Sequence, residues 1–425
     1  METVKLGILG MGTVATGLIN IIELNNSKII ETINKNLAVS KVLVKSLNKK
    51  REVSLPQNVY TTDAYEVIND KDTQIIVELI GGINPAYEYI KAALNNKKHV
   101  VTANKALIAT HGGELEDLAA ANGVKLMYEA SVAGGIPILN TISESLAANE
   151  FEKIIGIING TTNYILTQMA ESGLEYDQAV KEAQRLGFAE ADPSSDVEGD
   201  DAAYKIAILS NIAFGQRIEI KNVPKEGITK ISKEDITYAR ELGYNIKLLA
   251  SAVKNDGELE LSVHPAFIPA EHPLSTVKNE FNAVFLKGNA VGELMFYGKG
   301  AGSLPTGSAV LGDVMSIVKN SQRDNTEIKK SDRYKIADKA FKPYYIRLEV
   351  IDKPGVLAKI AGVFGAHGIS LASVMQRQKN GNNTAPLVFI THKAYRKSID
   401  EALNEISRFE EVTKVCSIIT VENFK

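Results

Sequence analysis

The tightest constraint on the fold comes first in the chain. An apolar run at 4–9, VKLGIL, leads straight into Gly10-Met11-Gly12-Thr13-Val14-Ala15, and an apolar-periodic stretch follows to about Leu24. A strand feeding a glycine turn and then a helix leaves open N–H groups at the helix N-terminus, where phosphates bind. Gly10 permits the tight turn, Gly12 lets phosphates approach the backbone, and small Ala15 keeps helix and strand close. The expectation is a dinucleotide site using Gly10, Gly12, Thr13 and Val14. The alternative, a plain glycine-rich turn, does not account for the strand and helix on either side.

The pattern continues as that reading requires. Short Val/Ile/Leu runs at 4–9, 37–44, 75–79, 100–102 and 126–128 alternate with helical stretches. Buried parallel strands read this way, and the alternation implies a doubly wound sheet over 1–136, of Rossmann type. A second region, 137–300, mixes helical patterns at 164–171, 177–186 and 201–214 with strand-like runs at 154–157, 259–263, 283–286 and 294–297. An α+β substrate and dimerisation domain fits it. A helix at 301–320 is expected to return to the first domain. Residues 321–342 are polar, a candidate linker with a short helix. The last block, 343–425, reads β-α-β-β-α-β, a ferredoxin-like unit.

Composition excludes several classes. Of 425 residues, 48 are Lys or Arg and 51 Asp or Glu, a net charge of −3, which argues against a nucleic-acid-coating protein. The one cysteine, Cys416, rules out an internal disulfide framework and a cysteine-rich metal site, and fits a reducing compartment. No apolar run approaches the roughly 18 residues a membrane helix needs, and the N-terminus lacks a signal-peptide pattern. The expected location is cytoplasmic, with no membrane partner.

Where the second strand ends, an NAD site usually has Asp or Glu for the ribose 2′-hydroxyl. Here stand Lys45 and Ser46, with Lys49, Lys50 and Arg51 beyond. A basic end without a carboxylate suits a 2′-phosphate, so NADP(H) is expected over NAD(H), with Lys45 as a contact. A solvated basic loop is the plainer alternative.

Two segments carry candidate chemistry. Thr102-Ala103-Asn104-Lys105 follows a strand, where ligands of such sheets gather, and it puts Asn104 and Lys105 at the cofactor. The segment from Gly187 to Lys205 is an acidic, Pro/Gly-broken loop running into a helix, with Glu190, Asp192, Asp196 and Asp201. Asp201 and Lys205, four apart, share a helix face. An alcohol oxidoreductase must move the hydroxyl proton as hydride leaves carbon; a lysine does this, and carboxylates can hold a substrate ammonium. Taken alone, the pair reads better as an exposed ion pair, worth about 0.3–0.5 kcal/mol.

With these residues in view, a resemblance emerges. Residues 183–205, AQRLGFAEADPSSDVEGDDAAYK, resemble the signature of the homoserine dehydrogenase family, as do 102–105, 128–137, 156–164 and 298–310 in the same order. The likeness covers nearly the whole chain. The C-terminal unit, with its Asp352-Lys353-Pro354-Gly355 turn, resembles an ACT domain, an amino-acid-sensing module. The resemblance implies reversible reduction of L-aspartate 4-semialdehyde to L-homoserine with NAD(P)H. It implies Lys205 as proton donor, Lys105 between cofactor and substrate, Glu190 and Asp201 as substrate-binding carboxylates, and Gly187 and Gly302 close to the nucleotide. It further implies a structural monovalent cation, sodium, on Glu129 and the backbone at Val132, Gly134 and Ile136. The substrate's ammonium would meet the 190–201 loop, including Asp196, and its carboxylate the helix start at 159–162, including Thr161. Ser46 departs from the family's frequent acid, and Ala15 from its frequent glycine.

Two rivals were open at this point. A reductase working through a thiohemiacetal needs a cysteine nucleophile, and Cys416 is far from the glycine loop, in an apolar run that reads as a buried strand. A non-catalytic amino-acid sensor would not need Lys105, Glu190, Asp201 and Lys205 together. The ACT-like unit points to an amino-acid effector, L-threonine first, and to a homodimer or homotetramer, because such modules bind where two copies meet. His99 and His111 read as packing residues, without metal spacing.

Overall fold

The structure, a computed structural model, describes all residues other than 54, 321–332, 338–339, 378–382 and 425. The expected linker and its helix therefore lie largely outside the described residues. The described residues form two compact units: Met1–Gly160 with Asp201–Val223 and Glu280–Tyr334, and Thr161–Asp200 with Pro224–Asn279 and Lys335–Lys425.

The first unit holds a six-stranded parallel sheet. Its order is Tyr60–Thr61, Asn36–Leu43, Thr3–Leu9, Thr73–Glu78, His99–Thr102, Leu126–Met127. This is the doubly wound order with its switch point beside the first strand. Side chains alternate between two cores. Leu6, Ile8, Ile75, Val77 and Val101 enter one; Leu9, Ile76 and Val100 enter the other. Burial of each such side chain contributes roughly 1.5–3 kcal/mol. The short Tyr60–Thr61 strand has no alternating run of its own and was not anticipated. A second helix, Asn26–Ile33, follows the expected Thr13–Leu24 helix.

The Ser303–Lys319 helix lies against Thr13–Leu24. Contact is so close that a Cβ on Gly17 would fall 1.9 Å from the Ser303 carbonyl oxygen, and one on Gly307 would fall 2.7 Å from the Leu18 nitrogen. Ser303 Oγ donates to the Thr13 carbonyl at 2.9 Å. In the same unit, Phe151–Ile157 pairs antiparallel with Phe281–Gly288, which pairs with Gly292–Lys299.

The second unit is built on a long hairpin, Tyr244–Asn255 with Glu258–Pro269, closed at Asp256-Gly257 with both φ positive (45° and 81°). The C-terminal unit is ferredoxin-like: Tyr344–Ile351, helix Val356–Ala366, Leu371–Gln376, Thr384–Thr391, helix Arg396–Ile406 and Val412–Val421. Its strands are antiparallel in the order last, first, third, second. The last strand pairs parallel with the hairpin, Thr420 beside Ala266 and Val421 beside Phe267. A buried network adds to this join. Arg347 Nε donates to Asp235 Oδ1 at 2.8 Å, and the hydroxyls of Tyr345 and Ser417 donate to the same carboxylate. Asp235 also completes the capping box of helix Lys233–Glu241 with Ser232. Cys416 lies in the Val412–Val421 strand but is half-buried rather than buried, because its side of the strand is only partly covered. Burial still pushes its thiol up.

Candidate active site

The parallel strands deliver polar groups to their carboxyl ends. Gly10 turns out of the first strand at φ 101°, its N–H bonded to the Leu43 carbonyl at 3.2 Å. Gly12 caps the Thr13–Leu24 helix with no side-chain hydrogen bond to the first turn, and the position of its missing Cβ is open space. Thr13 and Val14 open that helix. These residues fit a pyrophosphate: the close approach is clear and no side chain competes for the helix N–H groups.

Lys45 is exposed just past the second strand. Arg51 is committed elsewhere, donating to the carbonyls of Ser46, Leu47 and Lys49 and lying 4.8 Å from the Tyr60 ring centre. At the fourth strand's end, buried Glu78 accepts from Ile80 N–H at 2.7 Å and from the Thr102 hydroxyl at 2.6 Å. Asn104 caps the Lys105–Ala121 helix and donates through Nδ2 to the Gly82 carbonyl at 2.6 Å. Lys105 is thus the first residue of a helix, an end that disfavours a cation by about 0.3–1 kcal/mol.

Asp201 offsets that placement. Lys105 Nζ stands 2.6 Å from Asp201 Oδ1, and Lys205 Nζ 2.7 Å from Asp201 Oδ2. Asn159 Nδ2 donates to Oδ2 at 2.8 Å, and Lys205 Nζ also donates to the Ile158 carbonyl at 2.8 Å. Asp201 is 3% exposed at its side chain and Lys205 10%, whereas Lys105 is 43% exposed. The Asp201–Lys205 pair is therefore not the exposed i,i+4 bridge that spacing alone allowed. Burial raises the Asp201 pKa, but attraction to Lys205 and Lys105 outweighs it and holds the carboxyl far below the usual range. Both its oxygens are engaged by cations. Its geometry is that of a counter-ion to two lysines.

The acidic loop belongs to the other unit. Gly187 sits at φ 78°, beyond helix Tyr176–Arg185, and Glu190 is exposed. The Thr161 hydroxyl lies 2.7 Å from the Phe188 carbonyl and 2.9 Å from Asp196 Oδ2, tying the loop to the start of the Gly160–Glu171 helix. Gly302, at φ 126°, caps the Ser303–Lys319 helix in the first unit.

Glu129 is buried, accepting from Leu139 N–H at 2.9 Å and Asn140 N–H at 2.7 Å. Next to it, Asp313 accepts from Glu129 N–H at 2.8 Å and from Asn140 Nδ2 at 3.2 Å. Burial raises both carboxyls, Asp313 to about 7. The loop beyond is Val132, then Ala133 and Gly134 both at φ 54°, then Gly135 and Ile136, whose carbonyl accepts from Ile138 N–H at 2.9 Å. The donor types here, carboxylates and backbone carbonyls, are those a hard cation takes, with both Glu129 oxygens and the Ile136 carbonyl also accepting backbone N–H groups. Among the described residues, no group of three or more His, Cys, Asp or Glu side chains has metal-binding geometry.

Glu78, Asp313 and, as a partner of Asp201, Asn159 carry no motif in the sequence that marks them as site residues. Asp313 left a signal, an acid on the same helix face as buried Val310, Val314 and Ile317.

A Rossmann-type unit with paired lysines on a buried carboxylate, joined in one chain to a ferredoxin-like unit, places the chain among NAD(P)-dependent oxidoreductases. Comparison with known proteins narrows it. Models described as "Homoserine dehydrogenase", "Homoserine dehydrogenase, NAD binding domain" and "ACT domain" match residues 137–315, 10–129 and 344–411. The homoserine dehydrogenases of Bacillus subtilis and of Synechocystis sp. are 42% and 43% identical over 430 and 434 residues, each covering 99% of both chains. The crystal structure of the Thiobacillus denitrificans homoserine dehydrogenase superposes with a TM-score of 0.95 at 38% identity, covering 100% of this chain and 99% of that one. A hyperthermophilic archaeal homoserine dehydrogenase solved in complex with NADPH is 28% identical, with a TM-score of 0.64 over 74% of this chain and 97% of its own. The chain belongs to the homoserine dehydrogenase family. Among its described residues, no helix is long and apolar enough to cross a membrane.

Proposed function

We propose that this enzyme interconverts L-aspartate 4-semialdehyde and L-homoserine at the Lys105–Asp201–Lys205 centre. The observation that carries the residue assignment is the sharing of one buried carboxylate by two lysines that come from different elements. The nicotinamide, when bound, supplies or accepts the hydride. As hydride reaches the aldehyde carbon, the carbonyl oxygen gains negative charge. Lys205 gives that oxygen a proton, and in the oxidation direction takes it back from the alcohol. Lys105 orients the carbonyl between cofactor and substrate. Asp201 keeps both amines at a fixed distance. Glu190 and Asp196, with Asp201, receive the substrate ammonium, and the 159–162 turn with Thr161 its carboxylate.

The cofactor reading has Gly10, Gly12, Thr13, Val14, Asn104, Lys105, Gly187 and Gly302 at the dinucleotide, with Lys45 favouring NADP(H). The archaeal relative's NADPH is consistent with that preference. Glu129, with the backbone at Val132, Gly134 and Ile136, would hold a structural sodium ion. The domain limits 1–136, 137–300 and 343–425 stand with this proposal, as do an ACT unit that answers to L-threonine, a homodimer or homotetramer, and a cytoplasmic site of action. Incubation of purified enzyme with NADPH and L-aspartate 4-semialdehyde tests the reaction. One L-homoserine per NADPH consumed is expected; NADPH-stable incubations would leave the sensor reading in its place.

A further inference from the structure

A cleft of about 180 Å³ opens beside the C-terminal strand, away from the Lys105–Asp201–Lys205 centre in sequence and in role. Its polar rim is Arg396, Lys230 and Glu226, its wall carries Ser417 and Cys416, and Ile231 and Pro265 give it an apolar floor. Arg396 opens the Arg396–Ile406 helix, where its Nη1 lies 3.6 Å from Glu226 Oε2 and its Nε 2.9 Å from Asp400 Oδ1. Two cations, one carboxylate and an apolar floor match a small α-amino acid: carboxylate to Arg396 and Lys230, ammonium to Glu226, side chain to the floor.

The cleft is also wired to the substrate loop through short contacts. Glu226 N–H donates to the Val263 carbonyl at 2.8 Å, and Ile228 N–H to the Val197 carbonyl at 2.8 Å. Between them Gly227 passes so close that a Cβ would fall 2.1 Å from the Val197 oxygen and 2.6 Å from Glu198 Cα. Val197 follows Asp196, whose carboxylate holds the Thr161 hydroxyl. On the opposite wall Ser417 Oγ donates to Asp235 Oδ2 at 2.7 Å, within the capping box of helix Lys233–Glu241. The 226–231 strap and the 187–199 loop are thus in direct backbone contact.

We propose that this cleft is a binding site for a small zwitterionic α-amino acid, distinct from any site formed where two ACT units meet, and that its occupancy acts on the substrate loop through Gly227 and Val197. The proposal rests on the reading that the ACT unit responds to an amino acid. Cys416, the only cysteine, lies in the cleft wall and reports on it. The experiment measures the alkylation rate of Cys416 by iodoacetamide in the full-length enzyme, with L-threonine, L-valine or L-aspartate as probes. Saturable protection is expected, about tenfold when the bound amino acid is near ten times its Kd. The concentration giving half protection should rise about tenfold in Lys230→Ala and in Arg396→Ala, since each removes one charge-assisted hydrogen bond. Unchanged alkylation with all three amino acids overturns the proposal, and so does protection that survives both substitutions. If threonine inhibits turnover while Cys416 stays unprotected, the sensing reading stands and this cleft is not its site.

Discussion

Lys105 Nζ stands 2.6 Å from Asp201 Oδ1, although Lys105 begins a helix whose dipole repels it. The ion pair offsets that repulsion and aims an otherwise mobile, 43%-exposed side chain. Asp201→Asn removes the charge while keeping the shape. The expected result is a kcat lower by about 10²-fold with an unchanged Kd for NADPH, because the amines lose their shared anchor. Steady-state kinetics with a separate cofactor titration checks this; equal losses in both quantities would count against it.

The cofactor assignment hangs on Lys45, exposed past the second strand while Arg51 is tied to its own loop. Lys45→Ala should raise KM for NADPH about tenfold, the worth of one charge-assisted contact, and leave KM for NADH alone. A wild-type kcat/KM that favours NADH would remove the assignment.

Much of this was legible in the sequence. The Gly10–Ala15 turn and the Val/Ile/Leu runs announce the parallel sheet because buried strands need continuous apolar residues. The C-terminal β-α-β-β-α-β order was equally plain. The Tyr244–Asn255 strand is less legible than its partner: Asp256-Gly257 is a strong hairpin signal, but the apolar run at 259–263 marks only one of the two arms. At the centre, spacing put Asp201 and Lys205 on one helix face but could not reveal their burial. Nor could it reveal Lys105, far earlier in the chain, on the same carboxylate. Contacts of that kind depend on strand order, which no local pattern encodes.

Arg347 and Asp235 are a buried pair, 10% and 0% exposed at their side chains. Arg347→Met leaves the carboxylate without its cation, at a cost of about 3–5 kcal/mol. Thermal unfolding should begin on the order of 10 °C lower. The double substitution Arg347→Met with Asp235→Asn should recover part of that loss, since the amide is neutral and keeps an oxygen for the Ser232 cap and the Tyr345 and Ser417 hydroxyls; no recovery would mean the charge pair is not what the single substitution removed.

Lys247 is buried, donating to Asn163 Oδ1 at 2.8 Å and to the Val277 carbonyl, and burial pushes its pKa down to about 8. The folded pKa lies below the ordinary lysine value, so between the two the folded state binds fewer protons than the unfolded. Its contribution to stability is therefore lowest below pH 8 and recovers as pH rises towards 10.5. Relative to Lys247→Met, the wild type should gain about 2–3 kcal/mol between pH 7 and pH 10 in denaturant melts, at ~1.4 kcal/mol per unit. A pH-independent difference would show that the amine binds its proton equally in the folded and unfolded states, and so is not shifted by burial.

The central claim is that Lys205 moves the proton while Asp201 holds it in place. The most direct measurement is kcat for L-aspartate 4-semialdehyde reduction by Lys205→Ala, alongside the Kd for NADPH from fluorescence. A kcat lower by about 10²–10⁴-fold with an unaltered Kd is the predicted result. A kcat near wild type, or a loss carried entirely by weaker NADPH binding, would contradict it.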